Sequence, residues 1–139
     1  MSKERNMKKY MILVDETKAV EELVTEGMYD QSSDDVTSVN FPQPNPKREE
    51  RETALFHSGA EMDKAGYWPG TIHDLLGFGI AQPDLQREFS IIALGSVCLL
   101  YGNRRYVAGL CEVAGGRRIS LVCFDTTWGA RCRFLGVRK

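Results

Sequence analysis

The chain has 139 residues, of which 42% are hydrophobic and 27% charged, with a formal net charge of −1 at pH 7. That length suits one domain able to bury a real core, and the near-zero charge excludes a partner selected by bulk electrostatics alone. No apolar run approaches membrane-spanning length, since Tyr10–Val14 is far too short, and the basic start Met-Ser-Lys-Glu-Arg lacks the apolar stretch of a signal peptide.

Met11 to Val14 is a short β-prone run. Glu16 to Met28 reads as a helix, with Ala19, Val20, Leu23 and Val24 at helical spacing and Gly27 as its stop. Asp30 to Pro46 is polar and carries Pro42, Pro44 and Pro46, which makes it a linker or surface wrap. Lys47 to Glu52 is a charge cluster, read as a solvated stretch. Thr53 to His57 is a strand, Ala60 to Ala65 a short helix ending at Gly66, and Tyr67 to Gly70 a turn. Thr71 caps a helix, with Asp74 at the reciprocal capping position. Pro83 opens a helical turn over Asp84 to Phe89. The period then changes. Ser90 to Leu100 is β-prone, Gly102-Asn103 a turn, Arg105 to Leu110 a strand, and Gly115-Gly116 a hairpin turn. Arg117 to Phe124 alternates, Asp125 to Gly129 is a loop around Trp128, and Cys132 to Val137 is a closing strand. Helices first and then an antiparallel sheet with long loops give an α+β class.

Candidate chemistry is sparse. Cys98, Cys111, Cys123 and Cys132 show no C-x-x-C spacing, and His57 and His73 lie far from them in sequence, so neither a metal site nor a disulfide framework is expected. A nucleophilic cysteine would need a base that the sequence does not bring near it. Gly77-Phe-Gly79 and Gly115-Gly116 lack the spacing of phosphate-binding loops. Glu21-Glu22 and Asp34-Asp35 fall in solvated segments, whereas paired carboxylates for acid–base work need a burial that nothing in the sequence suggests. No catalytic residues, no cofactor and no metal are expected.

The last third is written in a different alphabet. Of the 42 residues from Val97 to Arg138, only Glu112 and Trp128 are Glu, Lys, Met, Gln or Trp, types that fill 26 of the first 96 positions. These five types share one property: none has a codon ending in a pyrimidine. The same segment holds seven arginines and no lysine, so the tail from Val97 to Lys139 is about +6 and the rest about −7. Strand composition accounts for part of the bias, but strands do not exclude Trp, Met or Gln to this degree. Arginines interleaved with Tyr101, Tyr106, Phe124, Trp128 and Phe134 also suit a nucleic-acid surface. An enzyme or nucleic-acid-binding domain using this Arg-rich segment is therefore the alternative reading.

Ile92-Ala-Leu-Gly-Ser-Val97, Arg117-Arg-Ile-Ser-Leu121, Phe124-Asp125, Trp128 and Arg133-Phe-Leu-Gly-Val-Arg-Lys139, with the upstream stretch Ala65-Gly66-Tyr67 through Leu85-Gln86-Arg87-Glu88-Phe89, form an ordered set. The set resembles the C-terminal region of the variable (target) proteins of diversity-generating retroelements, above all those of archaea, archaeal viruses and small-genome bacteria. The resemblance covers about residues 50 to 139. It implies that a reverse transcriptase corrupts adenines in a template repeat, turning A-A-pyrimidine codons into any-any-pyrimidine. It also implies a C-type lectin fold, with N-terminal helices packed on a small antiparallel sheet that carries long C-terminal loops. Residues 1–50 would be an N-terminal extension and 51–139 the ligand-binding domain, with its variable region at about 97–139. The function implied is binding, without catalysis, of an unknown protein or cell-surface ligand. There is no Glu-Pro-Asn-type calcium motif, membrane insertion and nucleic acid are not expected, and display on a cell or virion surface is.

A surface that accepts many side chains cannot also carry the stability of the fold, so on Arg117 to Cys123 the core falls to Ile119 and Leu121. The displayed face falls to Arg118, Ser120 and Val122. The same reasoning nominates Tyr101, Tyr106, Gly109, Cys111, Val113, Thr126, Thr127, Ala130 and Cys132. Trp128, whose codon the process does not readily create, is expected to anchor its loop against Phe124 and Phe134. Tyr101, Tyr106 and Arg118 are the expected binding anchors.

Overall fold

The computed structural model describes residues 7–139, so the basic start Met1–Arg5 lies outside the described residues. In chain order the elements are β1 (Tyr10–Asp15), α1 (Val20–Gly27), β2 (Gln31–Ser32), β3 (Arg48–Phe56), α2 (Gly59–Lys64) and β4 (Tyr67–Pro69). Then follow α3 (Ile72–Ala81), a 3₁₀ turn (Leu85–Arg87), β5 (Ser90–Leu100), β6 (Arg104–Val113), β7 (Gly116–Cys123) and β8 (Cys132–Arg138). The strands form one sheet in the order β1-β3-β8-β5-β6-β7-β2, with β4 also paired to β8. Neighbours are antiparallel except β5–β8 and β2–β7, so the sheet is mixed.

This overturns the expected α+β class and its C-type lectin arrangement of helices on a small antiparallel sheet. Strand accounts for 42% of the described residues and helix for 20%, in three short helices and the 3₁₀ turn. The physical reason lies in two misread segments. The charge cluster Lys47–Glu52 is mostly strand, because β3 pairs with β1 from Arg48 to Thr53, leaving Arg48, Glu49 and Glu50 exposed while Arg51 turns inward to Glu16 and Asp74. Tyr67–Pro69 is strand rather than turn, because it completes the edge of β8 that β5 leaves free after Phe134. The tail itself is the end of β5 and three further strands, with short connections except for the loop 124–131.

The sheet has two covered faces. On the first, α1, α3 and the wrap after β2 bury Ile12, Val14, Val20, Leu23, Val36, Phe41, Ile72, Leu75, Leu76, Phe78, Ile91, Ala93, Cys98, Ala108, Leu110, Ile119 and Leu135. On the second, Ala54, Phe56, Met62, Tyr67, Ile92, Val107 and Phe134 form a smaller cluster, with Val122, Phe124 and Trp128 against it. Residues before position 50 and after it therefore share the first core, and β3 runs across that position.

Local chemistry explains the ends of elements. The Thr71 amide donates to Asp74 Oδ2 at 2.8 Å and the Asp74 amide to Thr71 Oγ1 at 3.3 Å, a reciprocal cap that starts α3. The β6–β7 hairpin turns on Ala114-Gly115, both at positive φ, closed by Val113 opposite Gly116. That is one residue earlier than the glycine pair suggests, and it puts a non-glycine in the left-handed region.

Candidate functional site

Strand alternation fixes which residues share the second face. Register places Cys132 beside Ser90 and Cys111 beside Arg118, and continuing the β5–β6 register sets Ser90 opposite Cys111. One row thus crosses four strands as Cys132, Ser90, Cys111 and Arg118. The next row, Phe134, Ile92, Gly109 and Ser120, runs parallel to it. All these positions face away from α1 and α3, because their neighbours Ile91, Leu110, Ile119 and Leu135 are fully buried in the core beneath those two helices.

Small residues in the two rows leave a concavity of about 230 Å³. Its lining is Ser90, Ile92, Gly109, Leu110, Cys111, Ser120, Val122, Thr126, Thr127, Trp128, Gly129 and Cys132. Trp128 forms its wall and is held edge-on against Phe134 at 5.4 Å between ring centres. The thiols of Cys111 and Cys132 sit two strands apart, roughly 10 Å by ordinary strand spacing, beyond disulfide reach. Burial pushes the Cys111 thiol pKa up, while the neighbouring Arg118 charge and Ser120 hydroxyl pull it down less strongly. It is a weakly acidic, poorly nucleophilic thiol.

Seven of the twelve nominated residues line this one concavity: Gly109, Cys111, Ser120, Val122, Thr126, Thr127 and Cys132. Arg118 adjoins it as the partner of Cys111 across the strands, and its side chain makes no hydrogen bond or ion pair among the described residues. Ala130 is exposed at the end of the same loop, and Val113 lies farther along the same face of β6. Tyr101 and Tyr106 are not part of this group. Tyr106 alternates with Val107 onto the helix side, packs on that core, and stacks edge-to-face with Tyr101 at 5.8 Å. The Tyr101 hydroxyl donates to Asp35 at 2.9 Å, which raises its pKa.

On β7, Ile119 is fully buried and Leu121 packs against the same core, whereas Arg118, Ser120 and Val122 are partly exposed on the opposite side. Sequence reasoning missed Ser90 and Ile92, which precede the biased segment and reach the concavity only through strand pairing. It also missed the role of Arg117, which is 7% exposed. The Arg117 guanidinium donates to the carbonyls of Gly27, Gly79 and Pro83 and to Gln86 Oε1, and it lies 4.6 Å from the centre of the Tyr29 ring. No local signal distinguishes Arg117 from Arg118.

The arginines do not form a bare basic face. Arg105 pairs with Asp125 at 2.5 Å and Arg138 with Glu52 at 3.4 Å. Arg131 donates to the carbonyls of Arg87 and Glu88, and Arg133 to those of Ala130 and Cys132. His73 is buried with Nε2 3.2 Å from the Lys18 carbonyl, while His57 lies in a separate cavity of about 800 Å³ beside α2 that holds none of the nominated residues. Among the described residues no group of three or more His, Cys, Asp or Glu could hold a metal ion, and no helix is long and apolar enough to cross a membrane. The chain matches no protein-family model, no curated protein and no solved structure.

Proposed function

We propose that the chain is a non-enzymatic ligand-binding protein whose C-terminal surface is diversified by adenine-directed retroelement copying. One observation carries the reading: seven of the twelve nominated residues line a single concavity, while Leu110 and Ile119, which alternate with them on β6 and β7, build the core. Side chains in the concavity can change without removing buried apolar area from the helix side, as a diversified surface requires. The small and hydroxyl-bearing lining suits adaptable contacts, and Trp128 supplies a rigid wall. The ligand is a protein or cell-surface molecule met at a cell or virion surface.

The decisive experiment is to sequence the DNA flanking the gene. A near-identical repeat of the last third, differing only where its own sequence has adenine, should lie beside a reverse-transcriptase gene. If neither the repeat nor the enzyme gene is present, the origin proposed here is wrong. Tight binding of generic nucleic acid with steep salt dependence would instead favour the Arg-rich segment as a phosphate-contacting surface.

A further inference from the structure

The concavity on the second face has a size and charge setting that narrow what it can hold. At about 230 Å³ it is smaller than the roughly 300–1,000 Å³ of sites for whole small molecules. It matches one inserted side chain, the unit by which protein interfaces anchor themselves. The wall is the Trp128 indole, and Gly109, Ser90 and Ser120 border a base that the Ile92 side chain partly covers, its Cδ1 lying 2.8 Å from where a Gly109 Cβ would be. A ring can stack on the wall and rest on that base, whereas a branched aliphatic chain leaves the indole face partly wet.

Charge decides the flank. The nearby carboxylates are already engaged, Glu112 with Arg87 at 2.9 Å and Asp125 with Arg105 at 2.5 Å. Arg118, next to Cys111 at the rim, has no such partner among the described residues. Its segment is also the positively charged part of the chain. A cationic partner would meet Arg118 uncompensated, and an anionic one would supply its missing carboxylate.

We propose that this concavity receives a single aromatic side chain projecting from an acidic protein segment, with Arg118 pairing a carboxylate beside that anchor. The assignment deepens the ligand-binding reading above and rests on it.

Three blocked tripeptides test it against the full-length, isotope-labelled protein by NMR titration: phenylalanine flanked by aspartates, phenylalanine flanked by lysines, and alanine flanked by aspartates. The aspartate–phenylalanine probe should shift the amides of Gly109, Ser120 and Thr127 and the Trp128 indole, with a Kd of about 1–10 mM, as befits one anchor. The lysine probe should bind about fivefold more weakly and the alanine probe should leave those signals unmoved. Arg118→Gln should weaken the first probe about threefold, the scale of one exposed ion pair, and cut its advantage over the lysine probe from about fivefold to about twofold or less. Ser120→Phe, which fills the concavity, should abolish binding, and the spectrum itself reports whether that variant is folded. Equal binding of the aspartate and lysine probes overturns the acidic partner. Absent shifts, or shifts confined to the cavity around Phe89 and His57, overturn the site itself. Failure here with an adenine-differing repeat in the flanking DNA leaves diversification standing. Binding here without that repeat removes only the proposed origin.

Discussion

Arg117 and Arg118 are neighbours of one chemical type with opposite jobs, because successive residues on β7 point to opposite faces. The Arg117 guanidinium satisfies carbonyls from the ends of α1 and α3 and from the turn before β5, and among the described residues no carboxylate forms an ion pair with it. Its planar fork reaches several acceptors at once, which an ammonium does not reproduce. Arg117→Lys is therefore expected to cost about 3 kcal/mol or more, whereas Arg118→Ala should stay within about 0.5 kcal/mol. Urea unfolding of the two variants checks this. Beneath Arg117, the Tyr29 hydroxyl is buried and makes no well-formed hydrogen bond among the described residues, the Arg117 guanidinium being near it but poorly aligned, and Gly79 is glycine because a Cβ there would sit against that hydroxyl. Burial raises the Tyr29 pKa from 10.0 to about 12, against a smaller opposing pull from Arg117. The sign follows from the proton count: between these values the unfolded chain loses this proton while the folded chain keeps it, so stability falls as pH rises through that window. Tyr29→Phe should flatten that alkaline loss. Near neutral pH it should be neutral or stabilising by up to about 1 kcal/mol, since an unsatisfied buried hydroxyl is removed. Denaturant midpoints measured from pH 7 to 11 test both statements.

At the scale of elements, the sheet separates two glycines that look equivalent in the sequence. A Cβ on Gly95 would meet the backbone carbonyl oxygens of Pro69 and Gly70, where the Gly95 amide donates to the Gly70 carbonyl at 2.7 Å. Backbone cannot swing aside, so Gly95→Ala should cost about 2 kcal/mol through displacement of β4. A Cβ on Gly109 would crowd the Ile92 Cδ1 at 2.8 Å, the far end of a side chain that can change rotamer, and would meet the Ile91 carbonyl oxygen and Val122 Cγ2 at an ordinary 3.5 Å. Gly109→Ala should cost less than about 1 kcal/mol, and thermal melts of the two variants would show the difference. A floor residue that tolerates substitution while its neighbours hold the strand is the property a diversified position needs. Alternation on β7 was readable beforehand from Ile119 and Leu121, because a period of two needs no tertiary information. The helix-side position of Tyr106 was not readable, because β6 was identified as a strand without knowing which of its two faces the helices would cover.

For the whole molecule, the first core joins segments from both ends of the chain. Ile12, Val14, Val20, Leu23, Val36 and Phe41 are each at most 4% exposed and pack with Leu110, Ile119 and Leu135. Losing six such side chains forfeits about 10 kcal/mol of burial, comparable to the whole net stability of a typical domain. A fragment of residues 47–139 is expected to lose cooperative unfolding and dispersed amide NMR signals, which circular dichroism and a single spectrum would reveal. A well-dispersed spectrum from that fragment would show that the later strands hold together alone. The opposite charges of the two parts are used within the fold as well, since Arg138 of the tail meets Glu52 and Lys139 meets Asp63.

The sequence by itself determined the alphabet shift at Val97, the cap that begins α3, the inward course of Ile119 and Leu121, and the outward course of Arg118, Ser120 and Val122. These depend on codons or on contacts a few residues apart. Only the tertiary structure decided that the sheet is mixed and dominates the fold, that Ser90 stands between two cysteines, and that Arg117 is a buried tie. It also decided that Tyr101 and Tyr106 leave the concavity for the other face. Those outcomes depend on which distant strands pair and which face the helices take, and free energies of that kind are summed over the whole chain rather than written into any one stretch of it.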